Sequence, residues 1–306
     1  MLELPPPIKH HETSGMTPQE YCENKATQSG SSFYYSFLSL PDKKRDAIIA
    51  LYAYCREVDD VVDQVAEPQI KAAKLAWWRN EIEQLFNSTP QHPITRALQP
   101  VISEFELPKK YFLEILDGME MDLRRIRFGS FSDLQQYCYR VASVVGLLSA
   151  HIFGYTNQKT LQYASDLGMA FQLTNIIRDV FEDLNRDRLY LPQDEMKQFG
   201  VTENDLYQQK QSTAFKKLMR YQAERAKLYY QQAIEQLPEE DRYNQRAGII
   251  MAAIYRDLLD EIVHDDFQVL KHRIALTPVR KLWIAWKTRR SENKRYKQWL
   301  RNRKNV

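Results

Sequence analysis

Between residues 168 and 183, Gly168, Gln172, Asn175, Asp179 and Asp183 recur at steps of four, three, four and four. That spacing puts all five on one face of an α-helix. The other sides carry Leu173, Ile176, Ile177, Val180 and Phe181, so apolar residues hem the polar stripe on both flanks. A surface helix shows its acids to water and buries only the opposite side. This stripe must instead line an interior cavity, and the chain has to fold around that hollow.

A second segment, "AIIALYAYCREVDDVVDQV", is built the same way. Tyr52, Arg56, Asp59 and Asp63 share one face, among Ile48, Ile49, Leu51, Val58, Val61 and Val62. Acids one turn apart weaken a helix by about 0.2–0.5 kcal/mol per pair, so their placement asks for a reason. Two such faces opposed hold at least four carboxylates in an enclosed space, which is costly without compensation. Divalent cations resolve the cost. Mg²⁺ above all is held by one or two carboxylates together with substrate phosphates. Arg56, Arg178, Arg186 and Arg188 stand beside the acids, and guanidinium forks match phosphate oxygens. Such runs taken singly are mostly solvated faces; two matched stripes, each with arginine attached, favour a chamber that grips a diphosphate from two sides.

The rest of the chain fits a helical shell. Among 306 residues there are only 9 Gly, and β-branched alternation is scarce. Leu, Ala, Gln, Glu, Lys and Arg recur at helical spacing. Helices are predicted at about 17–28, 42–65, 69–87, 93–105, 109–126, 132–153, 158–184, 211–236 and 240–264. Pro41, Pro68, Pro90, Pro93, Pro108, Gly129, Gly154, Pro192, Gly200 and Pro238 punctuate them. Thr17-Pro18-Gln19-Glu20 reads as a capping box, and Ser132 with Gln135 as a second cap. The expected fold is all-α: one helical domain over 17–275 enclosing a central cavity. Residues 1–16 form a tail and 276–306 a basic, Trp-containing segment.

Several classes are excluded. Cys22, Cys55 and Cys138 are odd in number and form no CxxC, which argues against a disulfide framework or a zinc site. No signal-peptide pattern and no run of about 18 apolar residues occurs, so a cytoplasmic location is expected. The net charge of +3 gives no reason to expect nucleic-acid binding. From Arg280 to Lys304, however, eleven Lys/Arg stand against one Glu, with Trp283, Trp286 and Trp299 interleaved. This suits peripheral contact with an anionic membrane on its inner face; a solvated helix whose tryptophans pack on the body is the equal alternative.

"YCREVDDVVD" and "NIIRDVFEDLNRDRLYLP" resemble the two aspartate-rich motifs of the squalene/phytoene synthase family. "SGSSFYYSFLSLP" (29–41) resembles its substrate flap, "YCYRVASVVGLLSAHIFGY" (137–155) its central helix and "YRDLLDEI" its late helix. The likeness covers about 17–275 in order. It implies an all-α, Mg²⁺-dependent transferase joining two prenyl diphosphates head to head, with three Mg²⁺ and with Mn²⁺ as a substitute ion. The wording "SGSSFYYSF", "AWWRNEIEQLF" and "DGMEMDL" is most similar to presqualene diphosphate synthases of bacterial hopanoid pathways. These condense two farnesyl diphosphates, and for that product no NADPH is expected. Squalene, dehydrosqualene and phytoene synthesis are the alternatives, and a non-catalytic helical partner protein a remote one.

Residue by residue, the resemblance implies metal ligation by Asp59, Asp63, Asn175, Asp179 and Asp183, with Asp60 supporting them. It implies diphosphate contacts from Ser32, Tyr52, Arg56, Arg178, Arg188 and Arg273. Tyr137, Gln172, Tyr190 and Tyr255 correspond to polar chamber residues, and Phe33, Val141, Ala142, Val145, Gly146, Ala164 and Gly168 to the prenyl tunnel. Gly30 departs from a serine found in some relatives. Arg56, Arg178, Tyr137 and Tyr255 are the catalytic candidates, the arginines for the leaving group and the aromatics, with Phe33 and Tyr34, for a carbocation. Released diphosphate or Tyr137 takes the proton, the former preferred. Asp117, Glu120 and Asp122 either reach the chamber or, the favoured reading, form an exposed face paired with Arg124 and Arg125. The six histidines show no ligand spacing.

Overall fold

Helices form where period and punctuation agree. The computed structural model describes residues 15–28, 36–37, 40–64, 67–123 and 127–304. Its helices are α1 (Pro18–Gln28), α2 (Asp42–Gln64), α3 (Pro68–Phe86), α4 (Pro93–Glu104), α5 (Lys109–Met121) and α6 (Phe131–Cys138). They continue with α7 (Val144–Phe153), α8 (Lys159–Arg178), α9 (Val180–Leu184), α10 (Gln193–Phe199), α11 (Glu203–Tyr207), α12 (Thr213–Gln236), α13 (Glu239–Arg242), α14 (Arg246–His264) and α15 (Pro278–Lys304). No β-strand occurs among the described residues; one isolated bridge joins Arg127 to Leu189. Short α10 and α11 were not foreseen, being too brief to show a period. Ser32, Phe33, Gly30, Tyr34, Arg124 and Arg125 lie outside the described residues.

The Thr17 capping box forms: the Thr17 N–H donates to Glu20 and the Glu20 N–H to Thr17 Oγ1, at 2.7 and 3.2 Å. The second cap is Ser130 rather than Ser132, with Asp133 completing a capping box. Both serines precede an apolar run, but the chain turns at Gly129, and Ser130 is the residue left in extended geometry (φ −142°, ψ 168°). The predicted 132–153 helix is one rod with a π-helical turn at Tyr139–Ser143. The predicted 158–184 helix is interrupted at Asp179, whose ψ opens to 15°. Asp179 N–H still donates to Asn175 O and Asp183 N–H to Asp179 O, so the polar stripe continues past the interruption.

Two apolar clusters make the core. One joins residues of α8, α10, α12 and α14; the other joins α1 to α5 with most of α7. α8 runs between α12 and α14 on one side and the π turn and α7 on the other. Glycines permit that last contact. A Cβ on Gly146 would lie 2.3 Å from the Ala164 carbonyl oxygen, and one on Gly168 2.5 Å from that of Ala142. The two rods therefore touch backbone to backbone, and the cavity opens where the two clusters meet.

α15 packs along α14 and buries Ile284 and Glu292. The Arg242 guanidinium donates to both Glu292 oxygens at 2.8 and 3.0 Å, and Tyr296 stacks on Tyr243 with centroids 4.0 Å apart. Trp299 stacks on Tyr296, whereas Trp283 and Trp286 are 56% and 59% exposed. The tryptophans thus divide between body and solvent. No helix among the described residues is long and apolar enough to cross a membrane.

Candidate active site

A cavity of about 590 Å³ is walled by the two stripes. From α2 it takes Tyr52, Cys55, Arg56, Asp59 and Asp63; from α8 and the residues after it, Gln172, Asn175, Arg178, Asp179, Asp183, Arg188 and Tyr190. Tyr137 enters from α6, Tyr255 from α14, and Arg273 from the loop before α15. The facing rows of acids read from sequence do meet across one space.

Arginines hold most of these acids. Arg56 donates to Asp59 at 2.7 Å and pairs with Asp60 at 2.9 Å. Arg186 and Arg188 each donate to Asp63 at 2.7 Å, which ties α2 to the turn after α9. Arg178 Nε and Arg273 Nε donate to Asp179 at 2.6 and 2.9 Å. Arg178 is also hydrogen-bonded to the Tyr255 hydroxyl. Asp60 turns away to an ion pair with Lys25 at 2.7 Å and does not line the cavity.

The balance of charge differs from acid to acid. Burial would raise the Asp179 carboxyl, but Arg178 and Arg273 hold it below its ordinary value. Asp183 is pushed up to about 8, by burial first and then by Asp179. Asp59, although its side chain keeps 37% exposure to the cavity, is pushed up to about 7 by the protein around it and by Asp63. Two of the acids therefore resist ionisation at neutral pH for want of positive charge.

Asp122 was read with Asp117 and Glu120 as exposed; the structure corrects this. Asp117 and Glu120 do face outward, paired with Arg79 at 2.7 and 2.6 Å. Asp122 is buried at the cavity wall and accepts hydrogen bonds from the Tyr137 and Tyr190 hydroxyls at 3.0 and 2.9 Å. Burial lifts its carboxyl to about 6. Ile115, Met119 and Asp122 all line the cavity at steps of four and three, the spacing that exposed the other stripes. Arg186, read from sequence as one of the arginines beside the acids, also lines it, as do Glu182 and Lys281, which had not been site candidates.

Beside this cavity lies an apolar pocket of about 230 Å³, lined by Val141, Ala142, Val145, Gly146, Ala164 and Gly168 among others. Tyr52, Cys55, Val141, Gln172 and Asn175 belong to both spaces and mark their junction.

The donor set suits a hard cation. Asn175 Oδ1 is buried at the junction with no hydrogen-bond partner among the described residues, an amide oxygen left over beside the carboxylates Asp59 and Asp183, which burial holds above their ordinary values. Among the described residues no three acidic, histidine or cysteine side chains close into a metal cage. The fit is to an ion held by one or two carboxylates and completed by phosphate oxygens.

Comparison with known proteins gives the same answer as the geometry. The model of the squalene/phytoene synthase family matches residues 26–280. A 15-cis-phytoene synthase of Synechococcus elongatus is 36% identical over 86% of this chain and 89% of its own. A presqualene diphosphate synthase of Sinorhizobium fredii is 34% identical over 87% of this chain and 96% of its own. Among solved structures, a dehydrosqualene synthase in complex with ligand superposes with a TM-score of 0.80 at 28% identity, covering 90% of this chain and 97% of that one. The match runs over most of the chain, and the chain belongs to the squalene/phytoene synthase family.

Proposed function

We propose that this protein condenses two farnesyl diphosphates head to head to presqualene diphosphate, releasing diphosphate, as part of squalene or hopanoid synthesis. The carrying observation is the junction itself. A polar, arginine-rich cavity opens through five shared residues into an apolar pocket, as an amphiphile with an anionic head and a hydrocarbon tail requires. The family is one of prenyl transferases, which supports the reaction class. The Sinorhizobium relative supports the product.

Asp59, Asp63, Asn175, Asp179 and Asp183 would hold Mg²⁺, three ions by the family resemblance, with Mn²⁺ able to replace it. The bound cation supplies charge neutralisation for the departing diphosphate. Arg56, Arg178, Arg188 and Arg273 orient phosphate oxygens when released from their acids, and guanidinium at the leaving group stabilises the charge that develops there. Tyr52 at the junction and Tyr255 on the cavity wall offer aromatic faces that can steady an allylic cation by about 0.5–2 kcal/mol each, and Gln172 supplies a polar amide at the junction. Ser32 and Phe33 complete the reading as flap contacts to phosphate and chain. Tyr137 does not suit the role of base. Burial, then Asp122, holds its phenol well above the ordinary range, so it keeps its proton and donates it to Asp122. Departing diphosphate is the better acceptor.

Incubation with farnesyl diphosphate and Mg²⁺, with and without NADPH, tests the assignment. Presqualene diphosphate is expected in both. Squalene appearing only with NADPH would replace the product, and phytoene from geranylgeranyl diphosphate would favour the second reading, which the 36% identical phytoene synthase supports. Peripheral membrane contact through 280–304 belongs to the same proposal, supported by exposed Leu282, Trp283 and Trp286 beside Lys287 and Arg290. Replacing Trp283 and Trp286 together by Ala should reduce sedimentation with anionic vesicles about tenfold; unchanged sedimentation removes this contact.

A further inference from the structure

The apolar pocket ends against buried side chains. Along α8 it runs from Gln172, at the junction, to Tyr163; at the same end it meets Phe153 of α7 and Gln245 beside α14. Tyr163 and Gln245 are each 1% exposed and Phe153 4%, so buried side chains wall this end among the described residues. Its other polar groups are tied to backbone. Ser149 Oγ donates to Val145 O at 2.8 Å, and Gln245 Nε2 to Gly154 O at 3.0 Å. The Tyr163 hydroxyl differs: it is buried and has no hydrogen-bond partner among the described residues.

A buried phenol without a partner is an expense that folded chains seldom tolerate, and phenylalanine would remove it. What holds the ring is shape. A Cβ on Gly248 would lie 2.5 Å from Tyr163 Oη, so the phenol reaches from α8 to the backbone of α14 through the one gap that a glycine leaves. The ring lines the pocket at the end of its α8 wall.

We propose that Tyr163, seated on Gly248, is the stop that sets prenyl chain length, admitting three isoprene units and refusing a fourth. This rests on the pocket being the prenyl site. Asn175 also lines the pocket but is assigned to the cation, so the hydrocarbon is measured from Gln172; from there to Tyr163 the helix rises about 13 Å at 1.5 Å per residue. An extended chain gains about 3.5 Å per three-bond residue, hence about 4.5 Å per four-bond isoprene unit. Three units span about 14 Å and four about 18 Å by the same scaling. A farnesyl chain ends at the ring; a geranylgeranyl chain has to pass through it.

The test is the ratio of kcat/KM for farnesyl to that for geranylgeranyl diphosphate, each with Mg²⁺, read by diphosphate release and product mass. The wild type is expected to favour farnesyl at least tenfold. Tyr163→Ala should lower that ratio tenfold or more, Tyr163→Phe should preserve it, and Gly248→Ala, which drives the ring inward, should shift preference towards geranyl diphosphate. If Tyr163→Ala does not fold, Tyr163→Leu carries the same expectation. An unchanged ratio in the opened variants, an equal shift in Tyr163→Phe, or a wild type that uses both substrates alike overturns the stop. A wild type that turns over neither substrate overturns the proposed function instead, and the stop with it.

Discussion

The polar cavity and the apolar pocket are lined by the same rods, α2, α6 to α8 and α14, yet they differ in how settled they are. In the pocket, side chains match their surroundings: Gly146 and Gly168 close on backbone carbonyls, and Ala142, Val145 and Ala164 cover the wall. In the cavity, acids are packed so that Asp59 and Asp183 are pushed up to about 7 and 8. One region is settled by packing; in the other, burial and neighbouring acids set carboxylates against one another. On the proposed function, the first holds the hydrocarbon and the second the diphosphate.

That contrast gives graded experiments. The largest effect is expected from the cavity: Asp59→Ala or Asp179→Ala should cut diphosphate release about 10³-fold or more, on the scale of losing a main electrostatic stabiliser. Retained turnover in a single-turnover assay would refute the cation assignment. Next comes the pocket. Gly168→Val forces a branched side chain onto Ala142 O, and overpacking of this kind costs about 1–3 kcal/mol. Urea unfolding should show that loss, whereas Asp59→Asn should leave stability unchanged or raised at pH 8. The smallest effect is a sign. Because Asp59 and Asp183 have folded-state values above their unfolded ones, their contribution is full below about pH 4 and is lost as pH rises through about 7 to 8. Metal-free protein should melt lower at pH 8.5 than at pH 6.5, and Mg²⁺ should raise the melting temperature more at pH 8.5. An equal rise at both values would mean the ion is not held by these acids.

Both stripes were legible because helical period is local: Tyr52 to Asp63 and Gly168 to Asp183 announce a shared face without knowledge of any partner. Asp122 was misread although it shares a helical face with Ile115 and Met119, because the partners that bury it, Tyr137 and Tyr190, lie 15 and 68 residues away. The contact of Gly168 with Ala142 is also remote in sequence; the resemblance put both residues in the prenyl tunnel but did not bring their backbones together. The interruption at Asp179 escaped notice because its hydrogen bonds persist and only one dihedral pair changes. Cap choice between Ser130 and Ser132 depended on where the chain turned, which composition does not record.

The wide turn at Tyr139–Ser143 carries a last consequence. Tyr137, Val141, Val145 and Ser149 follow one another at steps of four, and each lines one or both of the two spaces. On an unbroken α-helix such a series drifts by about 40° per step; a turn closed by five-residue hydrogen bonds takes up part of that drift. Removing one residue from "YRVAS" would restore ordinary winding and swing everything before it by about 100° relative to everything after. The Tyr137 phenol and the pocket wall at Val145 and Ser149 would then look in different directions. A single surplus residue keeps the two halves of this rod facing one continuous space.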